Sequence, residues 1–264
     1  MVERLSSGFA SPEFIYPDWP APDNVRAAFT TRIGGYSEAP CDSFNLGLHV
    51  GDKLEHVNSN RNLLVDALSL PAAPVYLNQV HGTDTVCAEQ QLRDAGHSLP
   101  AADACWSSAG SVIAIMTADC LPVLFTSECG KYIAGAHAGW RGLADGVIEK
   151  TIESMPVDSS ELLVWLGPAI GPARFEVGAE VRECFVSCDA ASEAHFTVVD
   201  STGNSGQKKY LANLYGLAKD RLAACGVGSV YGGEHCTYTD SSRFFSHRRD
   251  RGQTGRMAAL IWKV

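Results

Sequence analysis

Three apolar runs crowd into residues 111–137: Ser111 to Thr117 (SVIAIMT), Leu121 to Phe125 (LPVLF) and Lys131 to His137 (KYIAGAH). Short apolar runs bounded by polar or turn-forming residues read as strands inside a sheet, so this stretch commits the chain to buried sheet. Directly after His137 the chain passes through Ala-Gly-Trp-Arg-Gly into a segment whose Val147, Ile148, Thr151, Ile152 and Met155 recur at helical spacing. A strand, a glycine-rich turn and a helix are expected in that order.

Around this centre the periodicity predicts a helix over 52–68, opened by the capping-box-like pair Asp52 and Glu55 and closed before Pro71 and Pro74. A second helix is expected over 208–224, with Leu211, Leu214, Tyr215, Ala218 and Leu222 on one face and Gly226 as its stop. The C-terminal MAALIWKV reads as a last strand. Strands and helices alternate without a regular βαβ rhythm, and no glycine-rich phosphate loop follows a first strand, which argues against a doubly wound nucleotide-binding fold. No repeat, low-complexity tract or linker divides the 264 residues, and 45% hydrophobic content supports a substantial core. The expectation is one α+β domain over residues 1–264, with mixed β-sheets flanked by helices.

A net charge of −9, with basic runs no longer than Arg248-Arg249 in mixed surroundings, disfavours nucleic acid as a partner. The first 20 residues carry no apolar leader, and no stretch approaches the roughly 20 apolar residues of a membrane span. A cytoplasmic protein with no membrane partner is expected; oligomeric state is not legible. Nine cysteines, an odd number without dense regular spacing, point to reduced thiols. Cys184 and Cys188 are four apart on an expected helix face, but no second pair accompanies them, and they read as structural.

Three side chains stand where chemistry can be presented. Cys120 ends an apolar run in TADCLPVLF, His137 lies among very small residues in GAHAGWRG, and His81 sits before a glycine in NQVHGTD. Each has a plain alternative, a buried core cysteine or a satisfied core histidine. Two imidazoles and a thiolate are a donor set that zinc accepts in catalytic sites with an open fourth position. Their separations match no compact zinc motif. The same residues can instead form a thiolate nucleophile and its base, oriented by Asp119 or Asp103, in a metal-free hydrolase. Arg32 and Arg141 lie beside glycines, where a guanidinium and nearby N–H groups can close on phosphate; a surface salt bridge is the plainer reading of each. The charged cluster of His247, Arg248, Arg249 and Asp250 fits a solvated turn equally well.

The motifs TTRIGGYS (30–37), SFNLGLHVGD (43–52), NQVHG (78–82), TADCLPVLF (117–125), AHAGWRG (136–142), LGPAIGP (166–172) and FFSHRRDRGQTGRMA (244–258) resemble, in order and over nearly the whole chain, those of the YfiH-type family. That family is named variously for purine nucleoside phosphorylase, for a polyphenol oxidoreductase "laccase" domain and for peptidoglycan editing. The resemblance implies zinc held by His81, Cys120 and His137. It implies phosphorolysis of adenosine, inosine and methylthioadenosine to free base and a ribose 1-phosphate, with adenosine deamination to inosine. Under it, Arg32 or Arg141 would hold phosphate, while Asn45, Asp103 and Asp119 would hold ribose hydroxyls or orient a metal-bound histidine. His247, where other members carry Tyr, is a further candidate for substrate contact. With eight histidines and no His-x-His pair, the chain does not carry a four-copper centre. A single copper suits the same three donors, so a copper-dependent oxidoreductase stays an alternative. So do a Cys- or metal-dependent amidase acting on a cell-wall precursor and a non-enzymatic metal-binding module.

Overall fold

The computed structural model describes residues 10–94, 100–199 and 208–264, so part of the N-terminal stretch read above for a leader lies outside the described residues. The chain begins with β1 (Phe14–Ile15), β2 (Val25–Thr30), α1 (Leu54–Ala67), β3 (Thr85–Cys87), α2 (Ala88–Asp94) and β4 (Ala104–Ser107). The centre holds β5 (Ile113–Thr117), β6 (Leu121–Ser127), β7 (Ile133–Ala138), α3 (Trp140–Asp145), α4 (Val147–Ser154) and β8 (Leu162–Leu166). It finishes with β9 (Glu176–Gly178), α5 (Ala179–Val186), β10 (Phe196–Val199), β11 (Lys209–Ala212), α6 (Leu214–Ala224), β12 (Ser229–Gly232) and β13 (Met257–Lys263).

These strands form a six-stranded mixed sheet of order β12-β8-β6-β7-β4-β3, a four-stranded antiparallel sheet of order β1-β2-β13-β5, and a small sheet β10-β11-β9. Parallel pairing is confined to β12 with β8 and β3 with β4 within the six-stranded sheet. Successive strand side chains point to opposite faces, and that alternation sorts the core into layers. Leu121, Val123 and Phe125 of β6 face Leu143, Val147, Ile148 and Ile152 on one side, joined by Leu217 and Leu222 of α6. Leu124, on the other side, joins Phe29, Ile113, Ile115 and Ile261 of the four-stranded sheet. The opposite face of that sheet, carrying Ala28, Ala114, Met116 and Leu260, is covered by Leu64 of α1. Helix, sheet, sheet, helix is therefore the order of layers, and β6 reads as a continuous apolar run because both its faces are covered. Burying one such Leu or Phe is worth about 1.5–3 kcal/mol.

Gly135 of β7 lies at a close approach of the two sheets: a Cβ there would stand 2.8 Å from Ile115 Cγ1. The sheets cross over at residues 118–120, three residues that carry the chain from β5 in one sheet to β6 in the other. The sequence pattern marks both strands but carries no sign of that change of sheet.

Some expected elements are revised. The helix over 52–68 starts at Leu54 with Lys53 as its cap and no side-chain cap bond. Asp52 does not close a capping box because its carboxylate accepts from the Asn45 amide (2.8 Å) and the Lys53 N–H (2.8 Å). The helix over 208–224 is a strand followed by a helix: Lys209–Ala212 pairs with β9 and β10, and Asn213 caps α6 by accepting from the Gly216 N–H. Leu211 therefore belongs to a sheet. Its apolar spacing suits both readings, and strand partners distant in sequence decide between them. The glycine-rich turn after His137 is itself helical from Trp140, and Gly146 (φ 98°) separates α3 from α4. All nine cysteines are unpaired; Cys184 and Cys188, read as structural, are exposed. No described helix is long and apolar enough to cross a membrane.

Candidate metal centre

Strand register brings the three donors together. In the β6–β7 pair, Pro122 stands opposite His137, which places Cys120 just beyond the ladder beside it. On the other edge of β7, β4 pairs Ala104 with Ala136, and the ladder extends to His137, whose N–H donates to the Asp103 carbonyl at 2.7 Å. The buried Asp103 side chain then meets His137 Nδ1 at 2.8 Å. With Nδ1 donating to the carboxylate, Nε2 is the nitrogen left with a free lone pair.

The same carboxylate builds the turn that carries His81. Asp103 accepts from the N–H groups of Val80 (3.0 Å), His81 (3.0 Å) and Gly82 (2.8 Å), and His81 takes up the left-handed backbone (φ 63°) that lets three successive N–H groups converge. The two imidazoles meet edge to face with ring centroids 4.9 Å apart, and His81 Nε2 lies 3.9 Å from Cys120 Sγ. All three donor atoms lie within 4.8 Å of one another, the one such group of His, Cys or acidic side chains among the described residues.

Glycines set the floor of the cluster. A Cβ on Gly139 would stand 3.0 Å from His81 Cδ2 and 3.1 Å from Cys120 Sγ, and one on Gly142 would stand 2.8 Å from the Gly82 carbonyl. The first turn of α3 can press against the His81 turn only because these positions lack side chains. Electrostatics couples the thiol to the imidazole. Burial pushes the Cys120 thiol up, but the charge and hydrogen bonding of His137, with a smaller contribution from His81, bring it down to about 6. Burial opposes charge on His137 too, yet Cys120 and Asp103 together raise it to about 9. Burial raises Asp103, and this is outweighed by His137 and the turn N–H groups, so its carboxyl is held below the usual range.

These donors suit a metal. Zinc accepts imidazole nitrogen and thiolate sulfur together, the donor set that His81, Cys120 and His137 present within 4.8 Å of one another. A carboxylate behind a ligating histidine is the usual outer partner, here Asp103 behind His137.

The other sequence candidates fall into two groups. Asp119 (φ 96°), adjoining Cys120, is buried and already engaged: Oδ1 accepts from Thr237 Oγ1 (2.6 Å), Oδ2 from Ser246 Oγ (3.0 Å) and the Arg248 N–H (2.7 Å). It fastens the 237–250 segment to the strand end beside Cys120. Asn45 is also fully used, accepting from the N–H groups of Gly47 and Arg256 and donating to Gly47 O and Asp52 Oδ2. Arg32 is ion-paired to Asp42 (3.2 Å), donates to the Asp42 and Ser241 carbonyls, and lines a cavity of about 400 Å³ that none of His81, Cys120 or His137 lines.

Arg141 and His247 remain at the surface. Arg141 stacks 4.4 Å over Trp140 and has no ion pair among the described residues, while His247 is exposed beside Gly252. The segment from His247 to Asp250 is more than a solvated turn, because Arg249 pairs with Asp250 and donates to the Thr237, Tyr238 and Phe244 carbonyls. Sequence reasoning passed over Arg256, whose charge reaches Cys120 and Asp119. It stands in the GQTGRMA motif with nothing local to distinguish it from a surface arginine.

Residues 26–264 match the family described as multi-copper polyphenol oxidoreductase laccase. The chain is 49% identical over 253 residues to the protein named purine nucleoside phosphorylase YfiH of Escherichia coli K12, covering 96% of this chain and 99% of that one. It is 49% identical over 252 residues to purine nucleoside phosphorylase PA4543 of Pseudomonas aeruginosa, covering 94% and 98%. Among solved structures, one Neisseria meningitidis protein superposes with a TM-score of 0.86 at 47% identity, covering 95% of this chain and 98% of that one. YlmD from Geobacillus stearothermophilus superposes with a TM-score of 0.80 at 31% identity, covering 95% and 96%. Ordered motifs, layered mixed sheets and near full-length identity agree: the chain belongs to the laccase-like YfiH family, whose named relatives here are purine nucleoside phosphorylases.

Proposed function

We propose that the chain is a zinc-dependent purine nucleoside phosphorylase acting on adenosine, inosine and methylthioadenosine, with adenosine deamination as a second activity. The observation that carries this reading is the three-donor cluster of His81, Cys120 and His137 with Asp103 behind it. Zinc held by these residues would supply a Lewis acid and a water of lowered pKa, the chemistry that deamination needs. Copper suits the same donors, so the metal content of the purified protein is part of the test.

In phosphorolysis a phosphate oxygen forms a bond to C1′ as the bond from C1′ to the purine nitrogen breaks. The purine leaves with the electron pair and takes up a proton. Asp103 orients His137 through Nδ1 and shapes the His81 turn, and Gly139 and Gly142 let α3 pack against that turn, which holds the donors in place around an open site. Exposed Arg141 is free to meet an anionic group from solvent; the ion pair of Arg32 makes it the weaker candidate.

A second reading is favoured by one observation: Cys120, His137 and Asp103 form a thiol, imidazole and carboxylate series in which the thiol is lowered to about 6. Such a series performs nucleophilic amide cleavage without metal, as a peptidoglycan-precursor amidase would.

The test is phosphate-dependent release of hypoxanthine from inosine by zinc-loaded protein, with Cys120→Ser alongside. Wild type is expected to release base only with phosphate present, and the variant to lose more than about 100-fold, beyond the range of outer-partner changes. Hydrolysis of a cell-wall amide that survives chelation, without phosphorolysis, replaces the first reading with the second.

A further inference from the structure

Phosphorolysis needs a site for an oxyanion, and two arginines with no carboxylate partner among the described residues converge on the 45–49 loop, where Arg256 directly precedes Met257, the ladder partner of Thr117 at the end of the strand that leads to Cys120. Arg256 precedes β13 and is pinned at both backbone groups: its N–H donates to Asn45 Oδ1 (2.8 Å), and its carbonyl accepts from Leu46 (3.0 Å). Its stem lies against Gly47, where a Cβ would come within 2.8 Å of Cγ. Nη1 donates to the carbonyls of Thr254 and Gly255; among the described residues Nε and Nη2 have no acceptor and no carboxylate pairs with the guanidinium. Arg61 reaches the same loop from α1. Its Nε and Nη2 share the Leu46 carbonyl (3.0 and 2.9 Å), its guanidinium carbon stands 3.7 Å from the Tyr76 ring centroid, and it too has no ion pair among the described residues.

His49 continues this loop and is exposed. Although the residue as a whole is exposed, partial desolvation of its ring and the charges of Arg256 and Arg61 lower its pKa, in keeping with the placement of both arginines on this loop. Burial also makes each guanidinium harder to keep charged. Half-buried cations without carboxylate partners are costly unless an anion completes them, and a guanidinium fork matches the oxygens of phosphate. Asp119, the carboxylate whose charge reaches Arg256, is occupied by Thr237, Ser246 and Arg248.

We propose that Arg256, with Arg61 and His49 on the same loop, forms an oxyanion subsite at the head of β13, beside the strand end that leads to Cys120, that takes inorganic phosphate or the phosphate group of a pentose 1-phosphate. The assignment rests on the phosphorylase reading and names the residue that sequence reasoning placed at Arg32 or Arg141.

The experiment is a pair of measurements on zinc-loaded wild type, Arg256→Gln and Arg256→Lys. One is inosine phosphorolysis against phosphate concentration; the other is calorimetric titration with inorganic phosphate and, separately, with ribose 1-phosphate. Loss of a charge-assisted contact should raise the phosphate KM and both dissociation constants about tenfold or more in Arg256→Gln, with inosine KM within about twofold and Lys intermediate. Weakening of ribose 1-phosphate alone overturns the free-phosphate assignment. A phosphate KM and Kd within about twofold of wild type in a folded, metal-loaded Arg256→Gln overturn the subsite. If wild type releases no hypoxanthine, the phosphorylase reading fails and calorimetry alone decides: phosphate binding lost in the variant keeps the subsite, and no binding to wild type removes it. If Arg256→Gln does not fold, Arg61→Gln serves in its place, with about threefold weaker phosphate binding expected and unchanged binding counting against the subsite.

Discussion

Asp103 and Asp119 are both buried carboxylates close to the cluster, and both lie within two residues of a strand boundary, yet they work on different parts of the molecule. Asp103 spends its four contacts on the two histidines: three backbone N–H groups of the His81 turn and the ring nitrogen of His137. Asp119 spends its own on the chain around the cluster, tying Thr237, Ser246 and the Arg248 N–H, while its carbonyl accepts from Ile170. The first orients candidate metal ligands, and the second assembles distant segments around them. Two buried carboxylates of the same residue type differ in role through the donors they meet.

The largest contrast should come from Asp103→Asn. Losing the charge behind His137 and weakening the acceptor of the His81 turn should lower metal affinity about 10–100-fold. Competition with a chromophoric chelator reads this directly, and affinity unchanged from wild type would separate Asp103 from the metal centre. Asp119→Asn should act on stability, costing about 1–3 kcal/mol in denaturant unfolding of the metal-free protein, because one of its buried donors then meets an amide nitrogen. Its metal affinity should move less than that of Asp103→Asn; a larger fall would reverse the assignment of the two carboxylates.

A smaller effect concerns protons. In the metal-free protein the Cys120 thiol is lowered from its ordinary 9.0 to about 6, so its thiolate is present at neutral pH and is lost as pH falls through about 6. Alkylation of Cys120 by iodoacetamide, followed by peptide mass spectrometry from pH 5 to 9, should therefore be half-maximal near 6. Asp103→Asn should move that midpoint upward, since His137 then loses part of what keeps it charged, and Asp119→Asn should shift it less. Equal midpoints in all three proteins would show that the two aspartates do not differ electrostatically at the thiol.

Much of the fold is legible in local pattern. The runs at 111–117, 121–125 and 131–137 and the helical stripe from Val147 to Met155 appear close to where they were expected, because each pattern reports burial of its own side chains. The site was legible in part: His81, Cys120 and His137 stood out as donors near element ends, and the resemblance grouped them. Asp103 was named without being ranked above Asn45 or Asp119, since the ladder between β4 and β7 alone sets it against His137. The pattern over Lys209–Ala212 suits helix and strand alike, and the strands that decide it, β9 and β10, are set against it only by the tertiary fold.

The sequence by itself determined the three buried strand runs within 111–137, the helical stripe from Val147 to Met155, and that His81, Cys120 and His137 are donors a metal can take, because these follow from periodicity and residue chemistry. Only the tertiary structure decided that residues 118–120 cross between sheets, that Asp103 rather than Asp119 backs the histidines, and that Arg256 has no carboxylate partner among the described residues. Those outcomes depend on strand register and on which hydrogen-bond donors meet across separations of tens to hundreds of residues, and no local pattern records such distances.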